Sequence, residues 1–180
     1  MKGIYGFIKK IKNQEIDIVE HTEKVIEECK EINNEYNYFN LISEELALQQ
    51  AKEIKKSIKS NDKNPKHKKL LGVAISVKDS ICVKDVESTA GSKILRGYEP
   101  LFDAFVIEKV KEQGGIIIGK TSQDEFGFGG FSVNVGIGFK VPKNPFDIER
   151  SCGGSSGGAA GLSQKLENHI ALGESTGGSI

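Results

Sequence analysis

The 180-residue chain carries 25 Lys plus Arg against 25 Asp plus Glu, which excludes a global positive field for attracting nucleic acid and leaves such contacts to a local patch or a partner. Its length suits one domain with one core, able to bury about two thirds of the unfolded surface. Cys29, Cys82 and Cys152 are widely spaced with no C-x-x-C pair and read as free thiols in a reducing, cytoplasmic setting, and no segment approaches the roughly 18 apolar residues of a membrane span.

The chain opens with Ile4, Phe7, Ile8 and Ile11 at amphipathic-helix spacing, with lysines interrupting any signal-peptide run. From Ile16 to about Ile32, Val19, Val25, Ile26, Cys29 and Ile32 recur mostly at three- and four-residue intervals, predicting a second helix with Cys29 as a small core residue. A short extended stretch follows around Tyr38 to Ile42. Ser43, with Glu44 and Glu45 behind it, then opens a third helix of good helix formers. The basic run NDKNPKHKK ends it as a solvated linker.

At Leu70 the composition changes, dividing the chain into an N-terminal helical segment over 1–69 and a core over 70–180. Short β-branched runs, GVAISV at 72 to 77 and GIIIG at 115 to 119, bracket a helix-like segment from Asp103 to Gln113, giving strand, helix, strand. Beyond Lys120 the chain is rich in Gly, Ser and Asn. It culminates in SCGGSSGGAAG and GESTGGSI, with a short helix and a strand near His169 to Leu172 between them.

Two motifs fail on context. GGIIIGKT at 114 to 121 satisfies the letters of a phosphate loop, but Ile116, Ile117 and Ile118 fill the supposed loop and call for a buried strand. GGSSG at 153 to 157 fits a nucleophile elbow with Ser155 as nucleophile, which needs a later acid and then a histidine. Only Glu167 and His169 follow in that order, too close together to orient a ring toward a distant serine. His21 and His67, in a helix and a linker, read as solvated.

A third pattern combines the lysine of SVKDS, the GGSSGG loop and the STGGS loop. With GVAISVKDSI, IIIGKTSQDEF, NPFDIERSCGGSSGGAAG and ALGESTGGSI in this order, the chain from about Leu70 onward resembles the amidase signature family. The resemblance implies an α/β fold, a mixed β-sheet core flanked by helices, here an incomplete domain. It also implies Lys78 as base, Ser155 as bridging serine beside a cis peptide bond, expected first between Gly154 and Ser155, and Ser179 as nucleophile. The chemistry is coherent, because a serine hydroxyl attacks well only once a base takes its proton, and a hydroxyl between them can both accept and donate. Backbone N–H groups of Thr176, Gly177, Gly178 and Ser179 would form the oxyanion hole.

Within the family, KTSQDEFGFG at 120 to 129 is similar to the KTNMDEF segment of the A-type subunits of tRNA-dependent amidotransferases, making Asp124, Glu125 and Gly129 substrate-side candidates. The resemblance implies glutamine hydrolysis, with ammonia passed on for transamidation of misacylated Glu-tRNA(Gln) or Asp-tRNA(Asn). The implied partners are B- and C-type subunits in a heterotrimer, with tRNA held mainly through them and ATP and Mg used in the partner subunit. No cofactor or metal is expected in this chain and no membrane contact. Two alternatives remain, a stand-alone amidase of the family and an inactive truncated binding module. The chain departs from the pattern at Glu174 and Ser175, where the family usually has Ser-Asp, and stops one residue beyond Ser179, so the fragment alone is expected to be inactive.

Overall fold

A computed structural model describes residues 3–60 and 67–179. Most of the basic run after Ser60 therefore lies outside the described residues. The first helix, α1 (Ile4–Lys12), buries Phe7, Ile8 and Ile11 on one face. Next comes α2 (Ile18–Tyr36), which starts where the Asp17 carboxylate accepts the N–H groups of Val19 and Glu20 at 2.9 and 3.3 Å. This side-chain cap satisfies donors that the first helical turn leaves free. The helix outruns the expected end at Ile32 because no breaker intervenes before Asn37, whose left-handed φ of 63° stops it. That extra turn buries Tyr36, which stacks on Tyr38 with ring centroids 5.4 Å apart.

Strand β1 (Phe39–Ile42) leads into α3 (Glu44–Lys59). Ser43 precedes α3 as expected, but its hydroxyl does not cap the helix: it donates to Ile117 O at 3.2 Å while its N–H donates to Ile118 O at 3.1 Å. The strand ladder wins over the cap. Strands β2 (Ala74–Lys78) and β3 (Ile116–Thr121), joined across α4 (Phe105–Glu112), are buried along their whole lengths, as suits strands covered on both faces. A small hairpin, β4 (Lys143–Asn144) and β5 (Asp147–Ser151), precedes α5 (Gly157–Lys165) and β6 (His169–Leu172).

The main sheet has the order β1-β3-β2-β6, with β1 antiparallel to β3 and β2 parallel to both β3 and β6. It is a mixed sheet, and the helices of the N-terminal segment share its core: Ile11, Ile26, Cys29 and Ala51 belong to the same buried cluster as Ile75, Ile117 and Leu162. Each such isoleucine contributes about 1.5 to 3 kcal/mol by leaving water. Burial also pushes the Cys29 thiol up to about 12, which makes it an inert core group. His21 is only partly exposed, tilted against Phe7 at 4.7 Å, and burial lowers its pKa; it is a packing residue, whereas His67 is exposed as expected.

A register shift between Ile75 and Ser76 pairs Ser76 with Gly119 and carries Lys78 opposite Thr121. Gly119 is required there, because a Cβ would lie 2.4 Å from Leu41 O of the neighbouring strand. Since β2, β3 and β6 run parallel, their carboxyl ends share one edge of the sheet. That edge receives Lys78, the segment after Thr121 and the loop after Leu172 together, the usual place for a site in an open parallel arrangement.

Candidate active site

Lys78 ends β2 and is fully buried, as is Ser155. Lys78 Nζ lies 2.8 Å from Ser155 Oγ, 2.9 Å from the Glu174 carbonyl oxygen and 2.7 Å from Glu174 Oε1. The peptide bond between Gly154 and Ser155 is cis. Ser155 O in turn accepts the Asp124 N–H at 3.2 Å, tying the serine to the segment after β3.

The close packing around Ser155 follows from the small residues beside it. Gly158, in the first turn of α5, approaches Ser122 and Tyr38 so closely that a Cβ would sit 2.5 Å from Tyr38 O and 2.7 Å from Ser122 N. Any side chain there would push α5 off the sheet. Ser132 is also buried; its Oγ accepts the Gly157 N–H at 3.1 Å, and its own N–H donates to Asp124 at 3.0 Å. Nothing in the sequence marked this serine, since its partners come from segments far apart in the chain.

Ser179 is buried at the end of the second loop and is tied to the first through its backbone, its carbonyl accepting the Ser156 N–H at 3.0 Å. Ser156 Oγ adds a bond to Glu174 O at 3.0 Å. The two serine loops and the lysine strand thus form one connected unit. Of the four backbone groups expected to face an oxyanion, those of Gly178 and Ser179 donate to Ser175 Oγ at 2.9 and 2.8 Å. The Ser175 hydroxyl thus braces the turn as an acceptor. Thr176 and Gly177 are exposed.

Among the substrate-side candidates, the Asp124 carboxylate is fully buried and accepts the N–H groups of Ser132 and Asn134 at 3.0 and 2.8 Å. It organises the loop behind Ser155. Gly129 packs against this carboxylate, and Glu125 is partly exposed beside Gly136.

The two rejected motifs fall where their residues dictate. Ile116, Ile117 and Ile118 lie inside β3, and Lys120 is buried against Ser88 and Asp79. His169 pairs with Ala74 at the opposite end of β2 from Lys78, with Nε2 2.8 Å from Ser76 Oγ. A cleft of about 1040 Å³ between α3 and the 84–99 loop, lined by Gln49, Glu53, Lys56 and Glu87 among others, contains none of Lys78, Ser155 and Ser179.

Compared with known proteins, the sequence matches the Amidase family over residues 20–180. It is 41% identical over 170 residues to the A-type subunit of glutamyl-tRNA(Gln) amidotransferase from Clostridium botulinum (strain Okra / Type B1), covering 94% of this chain and 34% of that one. The same figures hold for an A-type subunit of the glutamyl-tRNA(Gln) amidotransferase of Clostridium acetobutylicum. The fold aligns with the crystal structure of the A-type subunit of glutamyl-tRNA(Gln) amidotransferase from Thermotoga maritima with a TM-score of 0.62 and 30% identity, over 78% of this chain and 27% of that one. The chain spans about a third of the length of the curated relatives it matches.

Proposed function

Because the chain belongs to the amidase family, we propose that it carries the nucleophile and proton-relay part of an amide-hydrolysing site, with Lys78 as base, Ser155 as bridge and Ser179 as nucleophile. The observation that carries this reading is the 2.8 Å contact between Lys78 Nζ and Ser155 Oγ, both fully buried, beside the loop that holds Ser179. In the reaction, Ser179 Oγ attacks the amide carbon as its proton passes to Ser155 and the Ser155 proton passes to the Lys78 amine. The C–N bond then breaks and ammonia leaves with a proton returned along the same path. Water hydrolyses the acyl-serine by the reverse relay. Backbone N–H groups from Thr176 to Ser179 hold the oxyanion, those of Gly178 and Ser179 once Ser175 Oγ releases them.

Likeness to the A-type amidotransferase subunits favours glutamine as the amide. The ammonia would then serve transamidation of Glu-tRNA(Gln) or Asp-tRNA(Asn) on B- and C-type partner subunits, which would bind ATP, magnesium and most of the tRNA. A stand-alone amidase of the same family is the second reading; the departure at Glu174 and Ser175 beside the reacting groups bears instead on an inactive relative that keeps the fold. Glutaminase activity that rises with partner subunits supports the first; hydrolysis of simple amides without them supports the second.

Trapping tests the site itself. A slow acylating glutamine analogue or a fluorophosphonate should label Ser179 in the full-length protein, as located by peptide mass mapping. Ser179→Ala should take no label, and Lys78→Ala and Ser155→Ala should label at least a hundredfold more slowly. Label on Ser155 in the unmutated protein would overturn the assignment.

A further inference from the structure

Glu174 differs from the family pattern, and its side chain reaches into the site. Its carboxylate is 40% exposed, yet Oε1 contacts a lysine with no exposure at all. The same residue's carbonyl oxygen is the second acceptor for that lysine, and the third neighbour of Nζ is Ser155 Oγ. Three contacts match in number the three positions that an amine nitrogen offers beyond its own carbon. Two of them belong to oxygens that can only accept, so both consume an N–H of Lys78. In the ammonium form the remaining position is an N–H donated to Ser155 Oγ; in the neutral amine, which acts as base, it is the lone pair, and it faces the same hydroxyl.

We propose that Glu174 is a positioning residue: its carbonyl and carboxylate oxygens hold two N–H groups of Lys78 and aim the remaining position of Nζ at Ser155, readying the lysine to take the Ser155 proton. This rests on the relay of Lys78, Ser155 and Ser179 proposed above. Without the carboxylate, one N–H loses its partner and the amine can rotate about its terminal bond, so that the lone pair meets Ser155 in only a fraction of conformers. Fixing such a geometry is one of the larger sources of rate in enzyme sites. The backbone carbonyl keeps its place because the Ser156 hydroxyl also donates to it at 3.0 Å; the carboxylate is therefore the part a substitution can remove cleanly.

The test uses fluorophosphonate labelling of Ser179 in the full-length protein, followed at saturating reagent so that the maximal rate and the half-saturating concentration are read separately. Glu174→Ala should lower the maximal rate about tenfold or more and leave the half-saturating concentration unchanged. Glu174→Gln, which keeps an acceptor oxygen in the same place, should restore the rate to within about threefold of the unmutated protein. Because Glu174 lies on a partly exposed loop outside the core cluster, the variants should keep the melting temperature, and Glu174→Ser provides an independent truncation. Glu174→Ala labelling as fast as the unmutated protein overturns the inference, as does Glu174→Gln falling as far as Glu174→Ala. If the unmutated protein takes no label on Ser179, the proposed relay fails and this inference falls with it.

Discussion

Lys78 and Lys120 stand on neighbouring parallel strands, both without solvent exposure, but in different company. Lys78 meets a serine hydroxyl and a half-open carboxylate at the edge of the sheet, whereas Lys120 is enclosed with Asp79, itself 1% exposed, at 3.4 Å. Burial lowers the Lys120 pKa and the Asp79 carboxylate opposes that shift. Asp79 also accepts the N–H groups of Thr89 and Gly91, so the pair pins the 88–91 turn beside the strand end that bears Lys78. Removing one partner leaves a buried uncompensated charge, and Lys120→Ala should cost about 3 to 5 kcal/mol. Lys55→Ala, which breaks the partly exposed pair with Asp17, should cost far less, because water already screens that pair. Urea denaturation of the two variants checks the contrast; equal losses would mean that the Lys120 pair is solvated. That Lys78, Ser155 and the loop bearing Ser179 come together could be expected from the sequence, because short motifs carry them. The partnership of Glu174 with Lys78 could not, since it depends on where a loop 96 residues away in the chain is placed.

At the scale of elements, legibility followed burial. The β-branched runs in β2 and β3 announced themselves because both faces of these strands are covered. The β4–β5 hairpin went unread, since β5 is exposed over Asp147 to Arg150 and has no alternation of apolar and polar residues to signal a strand. Strand β6 is partly buried along its length and carries a histidine whose environment sets a pH dependence. His169 Nδ1 is buried with no hydrogen-bond partner among the described residues, and burial pushes its pKa down to about 4. In the unfolded chain the imidazole titrates near 6.5. Above about pH 6.5 both states are neutral and the effect is nil. As pH falls from there toward 4, only the unfolded chain binds the proton, so stability declines across that window. The full loss is at most about 3 kcal/mol. Denaturation midpoints between pH 7.5 and 4.5 should therefore fall more steeply in the unmutated protein than in His169→Asn, and parallel slopes would show that the ring charges freely within the fold.

Across the whole molecule, the single core was legible in the chain's length, whereas the place of the bare apolar surface depends on how the loops lie in the fold. Phe128, Phe131 and Phe146 are 79%, 72% and 83% exposed, on the segment that follows β3 and on the β4–β5 hairpin. Other apolar residues on these segments, Val133, Ile137 and Ile148, are exposed as well. Burying one such side chain is worth about 1.5 to 3 kcal/mol, and soluble monomers seldom leave so many bare together. The segments flank the residues that brace Ser155: Ser132 bonds to Asp124 and Gly157, and Gly130 O accepts the Gly154 N–H at 2.9 Å. The matched part is only 34% of the length of the clostridial relatives, and a partner or further chain laid over these faces would also wall the site and fix an amide against Ser179. Accordingly, residues 1–180 expressed alone should hydrolyse glutamine at least a hundredfold more slowly than a full-length A-type relative, because nothing positions the amide for attack. The same fragment should bind 1-anilinonaphthalene-8-sulfonate and self-associate in sedimentation velocity. Phe128→Ser with Phe131→Ser should reduce both dye binding and association while leaving the melting temperature within about 2 °C, since exposed side chains contribute little to folding. A monomeric, dye-silent fragment with full turnover would show that the exposed faces need no cover and that these residues form a complete site.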